Sequence, residues 1–158
     1  MSPPPAPGSS AAIDAFIAAL WIEDGLSANT LAAYRRDLQL YAQWREHAKG
    51  GGLNDTREPD LLEYGVVRHA ASKASSVNRR LTVFKRYFRW ALREHHVQAD
   101  PTLRLLGAKQ ALRVPKILSE GQVEALLGAP DVESPLGLRD RCMIELMYAS
   151  GLRVSELV

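Results

Sequence analysis

At 158 residues the chain has room for one domain, or for one domain and part of another. A hydrophobic share of 46% suits a soluble globular core, and a single cysteine excludes an internal disulfide framework and fits a reducing cytoplasm. Net charge is only +2, yet residues 68–118 hold twelve Lys or Arg against two acids, Glu94 and Asp100. That segregation points to a positive surface facing a polyanion, nucleic acid first, with an acidic protein or a lipid surface as the other readings.

Residues 1–9 are Pro-rich and read as a disordered tail, without the basic and apolar regions of a signal peptide. A first amphipathic helix runs from about Ser10 to Asp24, with Ile13, Phe16, Ile17, Leu20 and Trp21 on its apolar face, and Gly25 ends it. Ser27 caps a second helix, about Ala28 to Ala48, whose Leu31, Tyr34, Leu38 and Tyr41 face the core. Gly50-Gly51-Gly52 interrupts the pattern, and Thr56 is placed to cap a third helix with Pro59 in its first turn. Ser75 or Ser76 caps a fourth, which reaches about His95.

Asp100-Pro101 opens a connecting segment that ends at Val114-Pro115-Lys116, the best boundary because proline blocks helix continuation. Ser119 and Gln122 form a capping box for a helix to about Leu127, and Gly128 and Pro130 end it. Leu138 to Ser150 makes the next helix; Gly151 stops it and Val154 restarts the chain. No strand and no apolar run of membrane-spanning length is visible. The expectation is all-α: a four-helix domain over 10–112, a linker over 113–118 and a second helical unit over 119–158.

The fourth helix carries the strongest chemical signal. At 100° per residue, Val77, Leu81, Phe84, Phe88 and Ala91 fall within about 40° of one line. Opposite lie Ser75, Arg79, Thr82, Arg86, Arg89 and Arg93, with no acid among them. Such a face repels itself and forgoes i,i+4 pairs, a cost that phosphates would offset by supplying the missing countercharge. The bland alternative is a solvated arginine face. On the second helix, Asn29, Ala32, Arg36, Gln39 and Gln43 face away from the core; small and amide side chains suit close approach to DNA and suit plain solvent exposure equally. Arg35-Arg36-Asp37 reads as a surface charge cluster. Arg153 sits at a tight helix junction, where its planar fork of donors matches two phosphate oxygens, or where it caps carbonyls or pairs with Glu156. Cys142 and Tyr148 lie on an apolar helix and are expected in the core. The four histidines have no ligand-like partners, so no metal site and no cofactor is expected.

Met147 to Val158, with Ala149-Ser150-Gly151-Leu152-Arg153 at its centre, resembles the first catalytic-arginine box of the tyrosine site-specific recombinases, and within them the Xer family. Asn29-Thr30-Leu31-Ala32-Ala33-Tyr34-Arg35-Arg36-Asp37-Leu38 resembles the signature of that family's core-binding domain, a four-helix SAM-like bundle. Ser75 to Glu94 is similar to its later DNA-facing helix, with Arg79 at a matching arginine, although Leu81-Thr82-Val83-Phe84-Lys85 departs from the commoner pattern. Arg113 to Ser119 resembles the interdomain linker, and Leu138-Arg139-Asp140-Arg141 the approach to the catalytic box.

The resemblance implies site-specific DNA recombination, in the setting of chromosome dimer resolution and segregation at cell division. It implies a C-shaped clamp on duplex DNA and a tyrosine nucleophile that forms a 3′-phosphotyrosyl link without metal or nucleotide cofactor. Arg153 is then the charge stabiliser, whose loss typically costs on the order of 10²–10³ in rate. Asn29, Thr30, Arg36, Ser75, Ser76, Arg79, Thr82, Arg86, Arg89 and Arg93 are the DNA-binding candidates. The implied partners are a duplex recombination site, a paired XerC-like recombinase in a synaptic tetramer and an FtsK-like DNA translocase, with no membrane. Residues 119–158 are expected to be a truncated start of the catalytic domain of a roughly 300-residue enzyme, so this chain alone is expected to be inactive. A phage or transposon integrase of the same family, a non-catalytic helical DNA-binding module and a helical protein-interaction module are the alternatives.

Overall fold

A computed structural model describes residues 7–69, 74–109 and 117–158. The chain divides into two compact units, Met1–Ala111 and Leu112–Val158. Most of the expected linker lies outside the described residues; its last two residues, Ile117 and Leu118, are exposed.

The first unit packs four helices: α1 (Pro7–Asp24), α2 (Ala28–Lys49), α3 (Glu58–His69) and α4 (Ala74–Arg93), with a 3-10 turn at Leu53–Asp55. All described regular structure in the chain is helical. α1 begins three residues earlier than periodicity predicts. Ser9 is buried there, and its Oγ accepts a hydrogen bond from the Leu53 backbone N–H at 3.0 Å. Ile13, Phe16, Ile17 and Leu20 are buried as their spacing requires, but Trp21 is 67% exposed, because it lies one step beyond the edge of that stripe. α2 is capped at both ends: Ser27 accepts from the Thr30 backbone N–H, and Gly50 takes the left-handed conformation at φ 70°. The core joins these helices through edge-on aromatic pairs, Phe16 with Tyr87 at 5.3 Å and Tyr41 with Tyr64 at 5.0 Å.

Two expected caps are corrected. Thr56 does not cap α3; its hydroxyl donates to the Leu53 carbonyl at 2.7 Å, closing the 3-10 turn. The backbone N–H of Arg57 is held by the Asp60 carboxylate instead, at 2.9 Å. Ser75 and Ser76 are not caps either, because α4 has already begun at Ala74 and they lie in its first turn. Between α2 and α3 the Gly50–Gly52 run has a packing reason: a Cβ on Gly51 would lie 2.2 Å from Nη1 of Arg45. Arg45 is buried there, donating to the carbonyls of Gly52 (2.9 Å) and Asp55 (2.7 Å). α4 ends in a tight reversal at His95, φ 59°, with the His96 N–H bonded back to the Ala91 carbonyl at 2.8 Å.

The second unit holds α5 (Glu120–Gly128), α6 (Pro135–Ser150) and α7 (Val154–Leu157). The Ser119–Gln122 capping box forms as expected, with Ser119 N–H on Gln122 at 2.9 Å and Gln122 N–H on Ser119 at 3.3 Å. α6 starts three residues before the expected Leu138, with Ser134 as its N-cap and Pro135 in its first turn. Gly151 ends it in the left-handed conformation, φ 70°. None of the described residues of this unit is buried; within it, α6 packs against α5 and α7. Cys142 and Tyr148 are therefore exposed, contrary to the expectation of core positions.

Candidate nucleic-acid interface

α4 lies against α1 and α2. Its apolar line is buried at Phe84, Phe88 and Ala91, and half-buried at Val77 and Leu81. The opposite face is polar as the helical period dictates. Arg79, Thr82, Arg89 and Arg93 are exposed, and Arg86 is half-buried.

The arginines of this face are not all free cations. Arg79 donates through Nη2 to Oδ1 of Asp37 at 3.0 Å, and its Nη1 lies 2.7 Å from Oδ2. Arg86 pairs with Asp24, donates to the Tyr34 hydroxyl at 3.4 Å and stands over the Tyr34 ring. Arg93 grips both oxygens of Glu23, at 2.7 and 2.9 Å, and reaches Glu94 with Nε at 2.9 Å. These hydrogen bonds lower the Glu23 pKa and raise that of Arg93. The face does not lack countercharge, as its sequence suggested: Asp24 and Glu23 on α1 and Asp37 on α2 supply it at three of the four arginines. Among the described residues, Arg36, Arg80, Lys85 and Arg89 have no acid within ion-pair reach.

The remaining expected residues sit at the helix ends and along the outer faces. Asn29 is exposed in the first turn of α2. The Thr30 hydroxyl is 3.0 Å from that of Ser27, inside the cap. Arg36 is exposed on α2. Ser75 is exposed and Ser76 half-buried at the start of α4. Thr82 donates to the Asn78 carbonyl of its own helix at 2.9 Å.

Two residues escaped the sequence reading. Asp37, read as part of a surface cluster, is 5% exposed and partners Arg79 across 42 residues of chain. Asn78 clamps the segment after α4, with Nδ2 on the Ala108 carbonyl (2.8 Å) and Oδ1 on the Ala108 N–H (2.7 Å). The helical period did carry a weak signal for Asp37, since it places that side chain about 100° from Leu38, at the border of the core stripe.

In the second unit, Arg153 occupies the position before α7, with its side chain 80% exposed. Its Nη1 donates to Oε1 of Glu156 at 2.9 Å, and its backbone N–H to Oε2 at 2.8 Å. One edge of the guanidinium is engaged, and the rest faces solvent. Among the described residues there is no group of three or more His, Cys, Asp or Glu that could hold a metal ion. No described helix is long and apolar enough to cross a membrane.

Residues 13–95 match the phage integrase N-terminal SAM-like domain, and residues 116–158 match the phage integrase family. The chain is 65% identical over 152 residues to "Tyrosine recombinase XerD" of Ralstonia nicotianae, an alignment covering 96% of this chain and 49% of that protein. It is 46% identical over 147 residues to the XerD of Proteus mirabilis, covering 92% and 47%. The Pseudomonas aeruginosa XerD is 45% identical over 147 residues, covering 92% and 49%. The chain thus spans about half the length of the curated relatives it matches.

Proposed function

We propose a function from one premise: the chain belongs to the phage integrase family, among relatives named tyrosine recombinase. The first unit is a duplex-DNA-binding domain, and the second carries the first catalytic arginine of a site-specific recombinase. The whole enzyme cuts and rejoins DNA through a tyrosine, in a XerD-like role at chromosome segregation and cell division. Residues 10–112 bind DNA, 113–118 link, and 119–158 begin the catalytic domain. A XerC-like recombinase paired in a synaptic tetramer, an FtsK-like translocase and a cytoplasmic setting belong to the same proposal.

The observation that carries the DNA-binding half is the seam of α2 and α4. Arg79 and Arg86 reach across it to Asp37 and Tyr34, within the region matched to the SAM-like domain. Exposed Arg36 on α2, and exposed Arg89 and half-buried Lys85 on α4, none with an acid in ion-pair reach among the described residues, supply further positive charge on the same two helices. Asn29, Thr30, Ser75, Ser76, Thr82 and Arg93 complete the proposed contact face. A phosphate neutralised by each cation releases counterion and contributes about 0.9 to the slope of log affinity against log salt. Arg153 binds the non-bridging oxygens of the scissile phosphate through the edge that Glu156 leaves open.

The test is titration of a labelled duplex with the 158-residue chain at several salt concentrations. Affinity should fall steeply with salt, and Arg36→Ala with Arg89→Ala should flatten the slope by up to about 1.8. Salt-insensitive binding, or an unchanged slope in that double variant, overturns the reading.

A further inference from the structure

The Asp37–Arg79 pair differs from the other pairs on this face. The Asp37 side chain is 7% exposed, whereas that of Arg79 is 49% exposed. A carboxylate taken out of water is costly unless paired, and a pair of this kind is weak evidence for stability, since apolar side chains of similar volume usually serve as well. Its geometry is also incomplete for a purely structural bridge. Nη2 makes a directed hydrogen bond to Oδ1, whereas Oδ2, 2.7 Å from Nη1, is buried without a hydrogen bond of its own. What the pair does supply is orientation. A guanidinium has five donors fixed in one plane, so anchoring one edge at a buried point on α2 sets the direction of the others. The half-exposed remainder of Arg79 looks out from the seam between the two helices.

We propose that Asp37 is a positioning residue for DNA recognition: from its buried place on α2 it holds the Arg79 guanidinium so that the free donors of that fork meet a DNA phosphate or base edge. The inference rests on the DNA-binding reading and deepens it. Ordering Arg79 before DNA arrives removes a rotamer cost from the binding step. Arg79 acts as an aimed donor array, and the bulk of the salt-linked attraction falls to Arg36, Lys85 and Arg89.

The sign of one substitution decides the matter. Asp37→Asn removes a negative charge close to the proposed DNA face. If Asp37 merely competes with phosphate for Arg79, that change tightens binding. If Asp37 aims Arg79, binding weakens despite the gain in positive charge, by about tenfold, the loss typical of one charge-assisted hydrogen bond.

The experiment measures anisotropy of a fluorescein-labelled random-sequence duplex with the 158-residue chain, its Asp37→Asn, Asp37→Glu, Arg79→Ala and Arg79→Lys variants, and the Asp37→Asn/Arg79→Ala double variant. Circular dichroism gives the folded fraction of each. We expect Asp37→Asn to weaken binding in the parent chain and to tighten it in the Arg79→Ala background, where it only relieves an unpaired acid. Arg79→Lys should lose nearly as much as Arg79→Ala. Asp37→Glu, which keeps the charge and shifts the carboxylate by one methylene, should weaken binding several-fold and serves if the Asn variant does not fold. Tighter binding by Asp37→Asn in the parent chain, or equal weakening in both backgrounds, overturns the proposal while leaving DNA binding intact. Failure of the parent chain to bind any duplex overturns the DNA-binding reading itself.

Discussion

Asn78→Ala should loosen the exit from the first unit, and the structure sets the size of the effect. The Asn78 amide makes two part-buried hydrogen bonds to one residue, Ala108, at 2.8 and 2.7 Å. Each contributes about 1 kcal/mol net, so their loss costs about 2 kcal/mol in all. For a domain of this size that corresponds to a fall of roughly 10 °C in melting temperature. The neighbouring Leu105, 8% exposed, is the apolar anchor of the same segment and should become more mobile. Gly107→Ala attacks the same clamp from the other side, since its Cβ would lie 3.1 Å from the Asn78 Oδ1. Thermal denaturation followed by circular dichroism gives the stability, and hydrogen exchange at the Ala108 amide gives the local effect. A melting temperature within about 2 °C of the parent, together with a still-protected Ala108 amide, would refute the reasoning that this amide pair fixes the segment to α4.

Other outcomes follow from single features. His95 has φ 59° in the reversal after α4, so His95→Gly should raise stability by about 0.5–1 kcal/mol, and a β-branched residue there should lower it, as read by urea denaturation. Burial pushes the Tyr41 and Tyr87 hydroxyls well above the usual tyrosine range. Their folded pKa exceeds the unfolded value near 10, so their contribution is whole below about pH 10 and falls as pH rises beyond it. Absorbance titration should show these two ionising late, and Tyr41→Phe with Tyr87→Phe should remove that late step. In an enzyme of the relatives' length built on this chain, Arg153→Ala should bind DNA nearly as well yet trap on the order of 10²–10³ less covalent complex on a nicked substrate. Arg153→Lys should rescue it poorly, and parental yields from Arg153→Ala would return Arg153 to a mere partner of Glu156.

Local chemistry was the legible part of this molecule. Period 3.6 placed Ile13, Phe16, Leu38, Tyr41, Phe84 and Phe88 in the core, and the caps at Ser27, Ser119 and Gly151 formed where side-chain type and spacing put them. Thr56 misled because the residues before it close a 3-10 turn, which has no apolar period to announce it. Periodicity also gives the direction of a face and not its partner. The arginines of α4 were visible, but Asp37, Asp24 and Glu23, which hold three of them, come from 42, 62 and 70 residues away. Cys142 and Tyr148 were misplaced because an apolar stripe marks a face that could be covered, and the described α5 and α6 do not cover it.

The central claim, that the α2–α4 seam of this chain faces duplex DNA, is tested most directly by mapping backbone amide shifts of the ¹⁵N-labelled 158-residue protein as a short duplex is added. The account predicts that the largest shifts fall at residues 29–36 and 75–89, with the Arg79 and Arg86 side-chain signals moving alongside, and that they diminish as salt is raised. Shifts confined to α3 or to residues 117–158, or shifts indifferent to salt, would contradict it.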